Sequence, residues 1–169
     1  MTRRAPVLLC AAIAVVWTAC APPEGAEADH RVEFVYERHG GLCVSAEGGG
    51  GVCRYTVTVR DDGTWTATGF PGPDTTGVVP PGAATDLAVI FDAGWRGLTA
   101  QPFEGTCPRA YDGQELIYRV SRIPIGPGSE LADASVREVR SCTHDLTHSD
   151  AELRLRQIQE AWETFELPN

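Results

Sequence analysis

The sequence contains no lysine: all 14 basic residues are arginine, and with 23 acidic residues the formal net charge is −9. A nucleic-acid-binding domain needs a basic patch or stripe, which this acidic composition does not supply. The same acidity disfavours resting flat on anionic lipid headgroups. We therefore expect no nucleic-acid partner. The use of arginine alone is also typical of GC-rich genomes such as actinobacterial ones.

No apolar run is long enough to cross a membrane. The apolar residues 5–17 number about 13, whereas a spanning helix needs about 20. They follow the basic pair Arg3-Arg4 and precede small residues, an order that is typical of a secretory signal. The sequence therefore predicts a signal peptide over residues 1–19, removed from the mature protein.

Cys20 ends the segment Trp17-Thr18-Ala19-Cys20, which resembles the lipobox of bacterial lipoproteins, although Trp17 stands where an aliphatic residue is usual. The resemblance implies that Cys20 carries a lipid and holds the protein on the outer face of the cell membrane. Ala19-Cys20-Ala21 is also a site for an ordinary signal peptidase, and cleavage there would give a secreted protein. Residues 20–30 have no apolar periodicity, so we expect a flexible tether.

Four cysteines remain once the signal and the lipidated residue are set aside. They are Cys43, Cys53, Cys107 and Cys142. An even number in an exported domain favours disulfides. Three pairings are open, and we favour Cys43–Cys53 and Cys107–Cys142. A zinc site built from the same cysteines is disfavoured because no C-x-x-C pair is present.

Hydropathy patterning predicts a single domain over residues 31–169. Alternating apolar residues indicate five strands, at residues 31–38, 52–60, 64–68, 115–122 and 135–142. The pair Gly40-Gly41 is expected to end the first strand, and the parity of Val136 and Val139 hints at a bulge in the last. The Pro/Gly-rich residues 71–84 are expected to stay outside the sheet.

Two helices are predicted from apolar residues at helical spacing. The first covers residues 85–100, with Thr85 as its cap, and is weakened by Gly94 and Gly97. The second follows the capping box that starts at Ser149 and runs to about Glu166. The predicted fold class is α+β, an antiparallel sheet of about five strands with two helices packed on one face.

The sequence contains no catalytic signature that we can assign. A G-x-S-x-G elbow and an H-E-x-x-H zinc motif are both missing, and residues 48–51, four glycines, lack the lysine of a phosphate-binding loop. His144 and His148 have a spacing that can hold a metal, but a polar connection into the last helix is the simpler interpretation. We therefore predict no catalytic residue, no metal and no cofactor.

Aromatic residues beside Gly- and Pro-rich loops are the better candidates for recognition. Trp65, Phe70 and Trp95 have this setting, and an exposed aromatic ring is a common anchor in binding interfaces. The alternative is that Trp65 and Trp95 belong to the core. Trp162, in the last helix, is predicted to be a core residue.

Two segments carry a resemblance to known families: YERHGG at residues 36–41 and CPRAYDGQELIY at residues 107–118. The second resembles uncharacterised actinobacterial secreted or lipoprotein domains. The order of strands, central helix and final amphipathic helix is also similar to emfourin-type inhibitors of thermolysin-like metalloproteases. The four cysteines and residues 71–84 depart from the inhibitor pattern, and no inhibitory residue matches position by position.

These observations favour a membrane-anchored extracytoplasmic lipoprotein with a non-catalytic binding domain. Its expected partners are the membrane, through the lipid, and an unidentified protein or envelope component. Restraint of a protease is one form of such binding. A structural envelope component and an enzyme of unrecognised type are the alternatives.

Overall fold

The computed structural model describes residues 30–44, 50–70, 73–108, 113–125 and 134–169, and of residues 42–44, 50–52 and 70 the backbone alone. This part of the chain forms six strands and two helices. The strands are β1 (His30–Val44), β2 (Gly50–Arg60), β3 (Thr64–Phe70), β4 (Thr75–Val78), β5 (Glu115–Pro124) and β6 (Ser135–Arg140). The helices are α1 (Ala83–Leu98) and α2 (Ser149–Thr164).

The strands form one antiparallel sheet in the order β4-β3-β2-β1-β5-β6. Hairpins join β1 through β4 in sequence, and β5 then returns to pair with β1 after α1. The predicted α+β class is confirmed, with six strands in place of about five.

Both helices pack on the same face of the sheet. The ring of Phe34, on β1, lies 6.2 Å from that of Phe91 in α1 and 6.2 Å from that of Trp162 in α2. Alternate residues of the strands point to this face. The fully buried apolar side chains of the sheet core include Phe34, Val57, Val59, Val120 and Val139. We call this side the helix face and the other side the open face.

Gly40 and Gly41 do not end the first strand, as the sequence analysis expected. β1 continues to Val44, and its register against β2 shifts between His39 and Leu42. The two glycines have φ angles of 114° and 77°, a region that favours glycine, so they form a bulge instead of a break.

The prediction that residues 71–84 stay outside the sheet is wrong for four of them. Thr75–Val78 pairs with Thr64–Ala67 as the edge strand β4. An edge position asks for hydrogen bonds on one side only, so a short strand flanked by prolines is tolerated there.

The predicted bulge in the last strand is absent. β6 pairs regularly with β5, from Ile117 opposite Arg140 to Arg122 opposite Ser135. Val139 is buried on the helix face, whereas Val136 is 57% exposed on the open face. The parity difference therefore reflects one exposed valine.

The predicted helix caps are also wrong. Gly82, not Thr85, caps α1, and Ala83 and Ala84 of the first turn are buried. His148 precedes α2, and no side chain caps it, so Ser149 does not form the expected capping box. A turn at Asp145 and Thr147 leads the chain into this helix.

Gly94 has a packing role that offsets its low helix propensity. A Cβ built on Gly94 would stand 2.8 Å from Cγ of Arg154 in α2. The missing side chain therefore lets the two helices approach closely.

Within the described residues, no helix is long and apolar enough to cross a membrane.

Candidate ligand-binding site

A pocket of about 180 Å³ opens between α2 and the helix face of the sheet. The strands contribute aromatic and aliphatic side chains, and α2 and the segment after it close the other side. The lining residues are Tyr36, Leu116, Tyr118, Ile158, Gln159, Trp162 and Asn169.

The register of β1 against β5 places the strand residues of the pocket. Tyr36 lies opposite Tyr118, and Arg38 lies opposite Leu116. All four belong to the helix face, because Phe34, two residues before Tyr36, packs under both helices. The pocket thus lies where the covered part of this face ends.

Three aromatic rings shape the pocket. The Tyr36 and Tyr118 rings are 5.2 Å apart at 37°, and the Tyr36 and Trp162 rings are 5.5 Å apart near edge-to-face, at 67°. Aromatic pairs favour such offset and edge-to-face contacts, which hold the rings in place before a ligand arrives.

The turn after α2 fixes Trp162 further. Glu166 adopts a left-handed conformation with φ 53°, and the Leu167 amide then donates to the Trp162 carbonyl oxygen at 3.2 Å. This is a Schellman arrangement. The Trp162 indole N–H in turn donates to the Pro168 carbonyl oxygen at 3.1 Å, and Leu167 is buried in the core. Asn169 is thereby brought to the pocket.

Burial keeps the tyrosines of the pocket neutral. Loss of solvation raises the pKa of Tyr36, against an opposing effect of Arg38, and it raises the pKa of Tyr118 strongly, with Tyr36 adding to the increase. At neutral pH both side chains are therefore phenols that can donate a hydrogen bond, and neither repels an anion.

Arg38 is distinguished from the other arginines of the sheet. Every other strand arginine of the described residues pairs with a carboxylate: Arg31, Arg54, Arg60, Arg119, Arg122, Arg137 and Arg140. The guanidinium of Arg38 instead lies over the Tyr55 ring, 5.1 Å from its centroid. Its Nε is buried and has no hydrogen-bond acceptor in the described part of the chain.

The open face carries paired charges. Buried Glu37 lies 3.4 Å from Nε of Arg54, and buried Glu115 lies 3.7 Å from a guanidinium nitrogen of Arg140. Arg140 also contacts Glu138. Burial alone would raise the pKa of Glu138, but hydrogen bonds from Arg140 and Arg119 outweigh it and lower that pKa. A lowered pKa makes Glu138 a poor proton acceptor for catalysis.

The disulfide between Cys107 and Cys142 is present, as predicted, with a Cα–Cα distance of 5.0 Å. Cys53 is also disulfide-bonded. The Cys43 side chain lies outside the described residues, so its predicted pairing with Cys53 stays a prediction. Cys20 likewise lies outside them.

The structure does not bring the aromatic candidates of the sequence analysis together. Trp65 on β3 and Trp95 on α1 are half-buried and pack against the core, and the Trp95 ring also contacts Phe91 and the guanidinium of Arg137. The Phe70 side chain lies outside the described residues. Neither tryptophan is among the residues that line the pocket.

His144 and His148 lie in the connection between β6 and α2. No group of three or more His, Cys, Asp or Glu side chains placed to hold a metal ion occurs within the described ranges. The His144 Nδ1 accepts a bond from the Arg140 amide at 3.4 Å, and His148 precedes α2.

The sequence pattern predicts several of the pocket residues to be buried, but as core residues and not as a binding site. The alternation of β1 and β5 places Tyr36 and Tyr118 on the inward face, and Trp162 was predicted to be buried. That these rings meet at the uncovered end of that face depends on the register of two distant strands, which no local pattern reveals.

No protein-family model matches the chain, and the comparison with curated proteins finds no match. The fold and site define an α+β domain with a small aromatic pocket. What this pocket can bind is therefore inferred from the residues that line it.

Proposed function

We propose that this chain is a non-catalytic binding protein that works outside the cytoplasm, held on the outer face of the cell membrane by a lipid on Cys20. The lipobox-like residues before Cys20 and the signal-like residues 1–19 support the anchor. Four further cysteines suit an oxidising compartment. The binding role is carried by the pocket between α2 and the sheet.

The pocket is suited to binding and lacks the means for catalysis. Its lining contains two phenols, an indole, two amides and two aliphatic side chains. Among these residues there is no nucleophile with an adjacent base and no carboxylate pair, which hydrolytic chemistry requires. An apolar cavity with a few polar groups is the usual form of a small-molecule site.

The size of the pocket limits the ligand. Sites for drug-sized ligands typically measure about 300–1,000 Å³, whereas this one measures about 180 Å³. A single ring or a branched aliphatic group fits such a space. The ligand is therefore a small molecule, or the end of a larger one.

Binding of neutral ring compounds tests this proposal. The purified full chain is titrated with indole and with phenylacetamide, and binding is followed by saturation-transfer NMR. We expect saturable binding that is lost in Leu116→Trp, which fills the pocket, and kept in Leu153→Trp, a change on the exposed side of α2. Circular dichroism checks that both variants fold. Absence of saturable binding by the wild-type chain would reject the proposal.

Restraint of a secreted metalloprotease is a narrower form of this proposal, supported only by the resemblance to emfourin-type inhibitors. Its test is titration of the purified chain against thermolysin-like proteases. If peptide hydrolysis is not slowed at micromolar excess, this form is rejected while pocket binding still stands. Recovery of wall polymer alone in pull-downs from intact cells would favour a structural envelope component.

A further inference from the structure

We propose that the pocket takes a small monocarboxylate, whose apolar body packs against Tyr36, Tyr118 and Trp162 and whose carboxylate accepts hydrogen bonds from Arg38. This inference rests on the proposed binding function and names the class of ligand.

The state of Arg38 is the first observation that carries it. A guanidinium has five N–H donors and stays charged at any ordinary pH. The other seven arginines on the described strands each meet a carboxylate, and Arg38 meets the face of Tyr55. A buried donor without an acceptor is costly, and its Nε is in that position among the described residues. An incoming acceptor removes that cost.

The place of Arg38 is the second observation. It lies two residues after Tyr36 on the same face of β1 and directly opposite Leu116 on β5, and both neighbours line the pocket. The Coulombic influence of Arg38 extends to Tyr36 and also to Tyr118 on the other side of that lining. A ligand ring in the pocket can therefore direct a substituent toward the guanidinium along the sheet surface.

Charge and volume restrict the ligand to one carboxylate. Among the described residues no basic side chain lines the pocket itself, and Arg38 borders it through its neighbours Tyr36 and Leu116. The chain as a whole has a net charge of −9, which repels multiply charged anions. A planar guanidinium also matches a carboxylate with two parallel hydrogen bonds. The space of about 180 Å³ leaves room for one ring or one branched group beside it.

The matched probes for this inference are phenylacetate and phenylacetamide, which share a ring and differ in charge. Calorimetric titration of the purified full chain should give at least about tenfold tighter binding of phenylacetate, since a hydrogen bond to a charged group is worth that factor or more. Arg38→Gln should remove this preference by weakening phenylacetate binding at least about tenfold more than phenylacetamide binding. Arg156→Gln, which removes an exposed arginine from α2, should keep the preference.

A second measurement uses the unaltered chain and so does not depend on the folding of a variant. The Nε–H resonance of Arg38 in ¹⁵N NMR should move downfield as phenylacetate is added and should move much less with phenylacetamide, whose carbonyl is an uncharged acceptor. Equal affinity of the two probes together with a stationary Arg38 resonance would overturn the monocarboxylate inference and leave the binding function intact. Failure of both probes and of indole to bind would instead reject the binding function itself.

The carboxylate can belong to a free acid or to the last residue of a peptide. A third titration with N-acetyl-Gly-Gly-Phe separates these sources. Binding with the same dependence on Arg38 assigns the pocket to peptide ends. Binding of phenylacetate alone assigns it to free small acids.

Discussion

Glu166 occupies a backbone conformation that suits glycine better. Its φ of 53° completes the Schellman turn, in which its own amide donates to the Glu163 carbonyl oxygen at 3.0 Å. A residue with a Cβ pays about 1–2 kcal/mol for the left-handed region, while glycine gains freedom in the unfolded chain.

We therefore predict that Glu166→Gly raises the free energy of unfolding by about 1 kcal/mol. Urea denaturation followed by circular dichroism measures the change. The matched control is Glu160→Gly, inside α2 and before this turn. A glycine there should lower the free energy of unfolding by about 1 kcal/mol. A loss of stability in Glu166→Gly would show that its side chain, not its backbone, matters at this turn.

Two aspartates share one local motif, an aspartate followed two residues later by a threonine that donates to it. The Thr64 hydroxyl lies 2.7 Å from an Asp62 carboxylate oxygen, and the Thr147 hydroxyl lies 2.6 Å from one of Asp145. These hydroxyl bonds, with the threonine amides, lower the pKa of both carboxyl groups.

A carboxyl whose pKa is lowered on folding stabilises the protein above its unfolded pKa, and that contribution is lost as pH falls through the folded pKa. We predict that Thr64→Val and Thr147→Val return the pKa of Asp62 and Asp145 toward the ordinary range and reduce stability at neutral pH. The difference from wild type should begin to shrink near about pH 4 and should vanish only below the lowered pKa of the folded carboxyl groups. Carboxyl ¹³C titrations and unfolding at two pH values test this; a difference that persists in acid would assign the loss to packing.

At the scale of elements, one disulfide holds two connections together. Cys107, before β5, is joined to Cys142, just after β6. The same two segments are bound by backbone hydrogen bonds, from the Phe103 amide to the Thr143 carbonyl oxygen and from the Asp145 amide to the Gln101 carbonyl oxygen. The crosslink therefore reinforces a contact that the backbone already makes.

Replacing Cys107 and Cys142 together by serine should lower the free energy of unfolding by about 4 kcal/mol, the chain-entropy value for a sequence separation of 35. The hydrogen bonds between the two segments should keep the native fold. Urea unfolding measures the loss, and amide shifts around Phe103 and Asp145 report on the fold. An unchanged midpoint would mean that the unfolded chain keeps this contact without the crosslink.

Local patterns in the sequence were enough for most elements. Alternation found β1, β2, β3, β5 and β6, and helical spacing found α1 and α2, because each buries one face against a common core. The class and the side on which the helices pack follow from the same patterns.

Features that depend on tertiary contacts could not be predicted. β4 has exposed residues at three of its four positions and gains its identity only by pairing with β3. Gly40 and Gly41 were predicted to end β1, because paired glycines often follow a strand. In the structure they form a bulge, which uses the positive φ angles that glycine allows. The predicted cap of α1 was wrong because the helix begins at Ala83, two residues before the predicted start. Ala83 and Ala84 are both buried, so the first turn belongs to the core.

The candidate site was the least predictable part. The predicted recognition residues were aromatics near loops, whereas Tyr36 and Tyr118 are strand residues whose alternation is that of ordinary core positions. Arg38 gave no local signal either, since the absence of a carboxylate partner is a property of the assembled sheet. The useful sign would have been an arginine on an otherwise apolar strand face, at the same parity as Phe34 and Tyr36.

At the scale of the whole molecule, ion pairs lie on both faces of the sheet, and the pocket lies on one of them. The helix face holds the apolar core, the pocket and the pairs that Arg122 and Arg137 form with Asp92 of α1. The open face holds pairs such as Arg54 with Glu37 and Arg119 with Glu138. Every strand arginine of the described residues other than Arg38 meets a carboxylate, so the border of the pocket is where an arginine without a carboxylate partner adjoins aromatic rings. A domain of this design can be presented to the exterior on a tether without exposing a large apolar surface.

The last prediction concerns where the whole protein resides, which depends on the proposed lipid at Cys20. Each buried methylene of an acyl chain contributes about 0.8 kcal/mol of membrane affinity, and stable anchoring takes more than one chain. Cys20→Ser removes the thiol that a thioether-linked lipid requires, so we predict that the protein leaves the membrane fraction, either released to the medium or retained unprocessed. Cys10→Ser, a change within the apolar residues 5–17, is the matched control and should leave the protein in the membrane fraction. Fractionation with mass spectrometry of the N-terminal peptide reads both outcomes. If Cys20→Ser stays in the membrane fraction like the wild type, the lipid anchor is contradicted. Ligand binding by the pocket is measured on the purified chain and does not depend on that result.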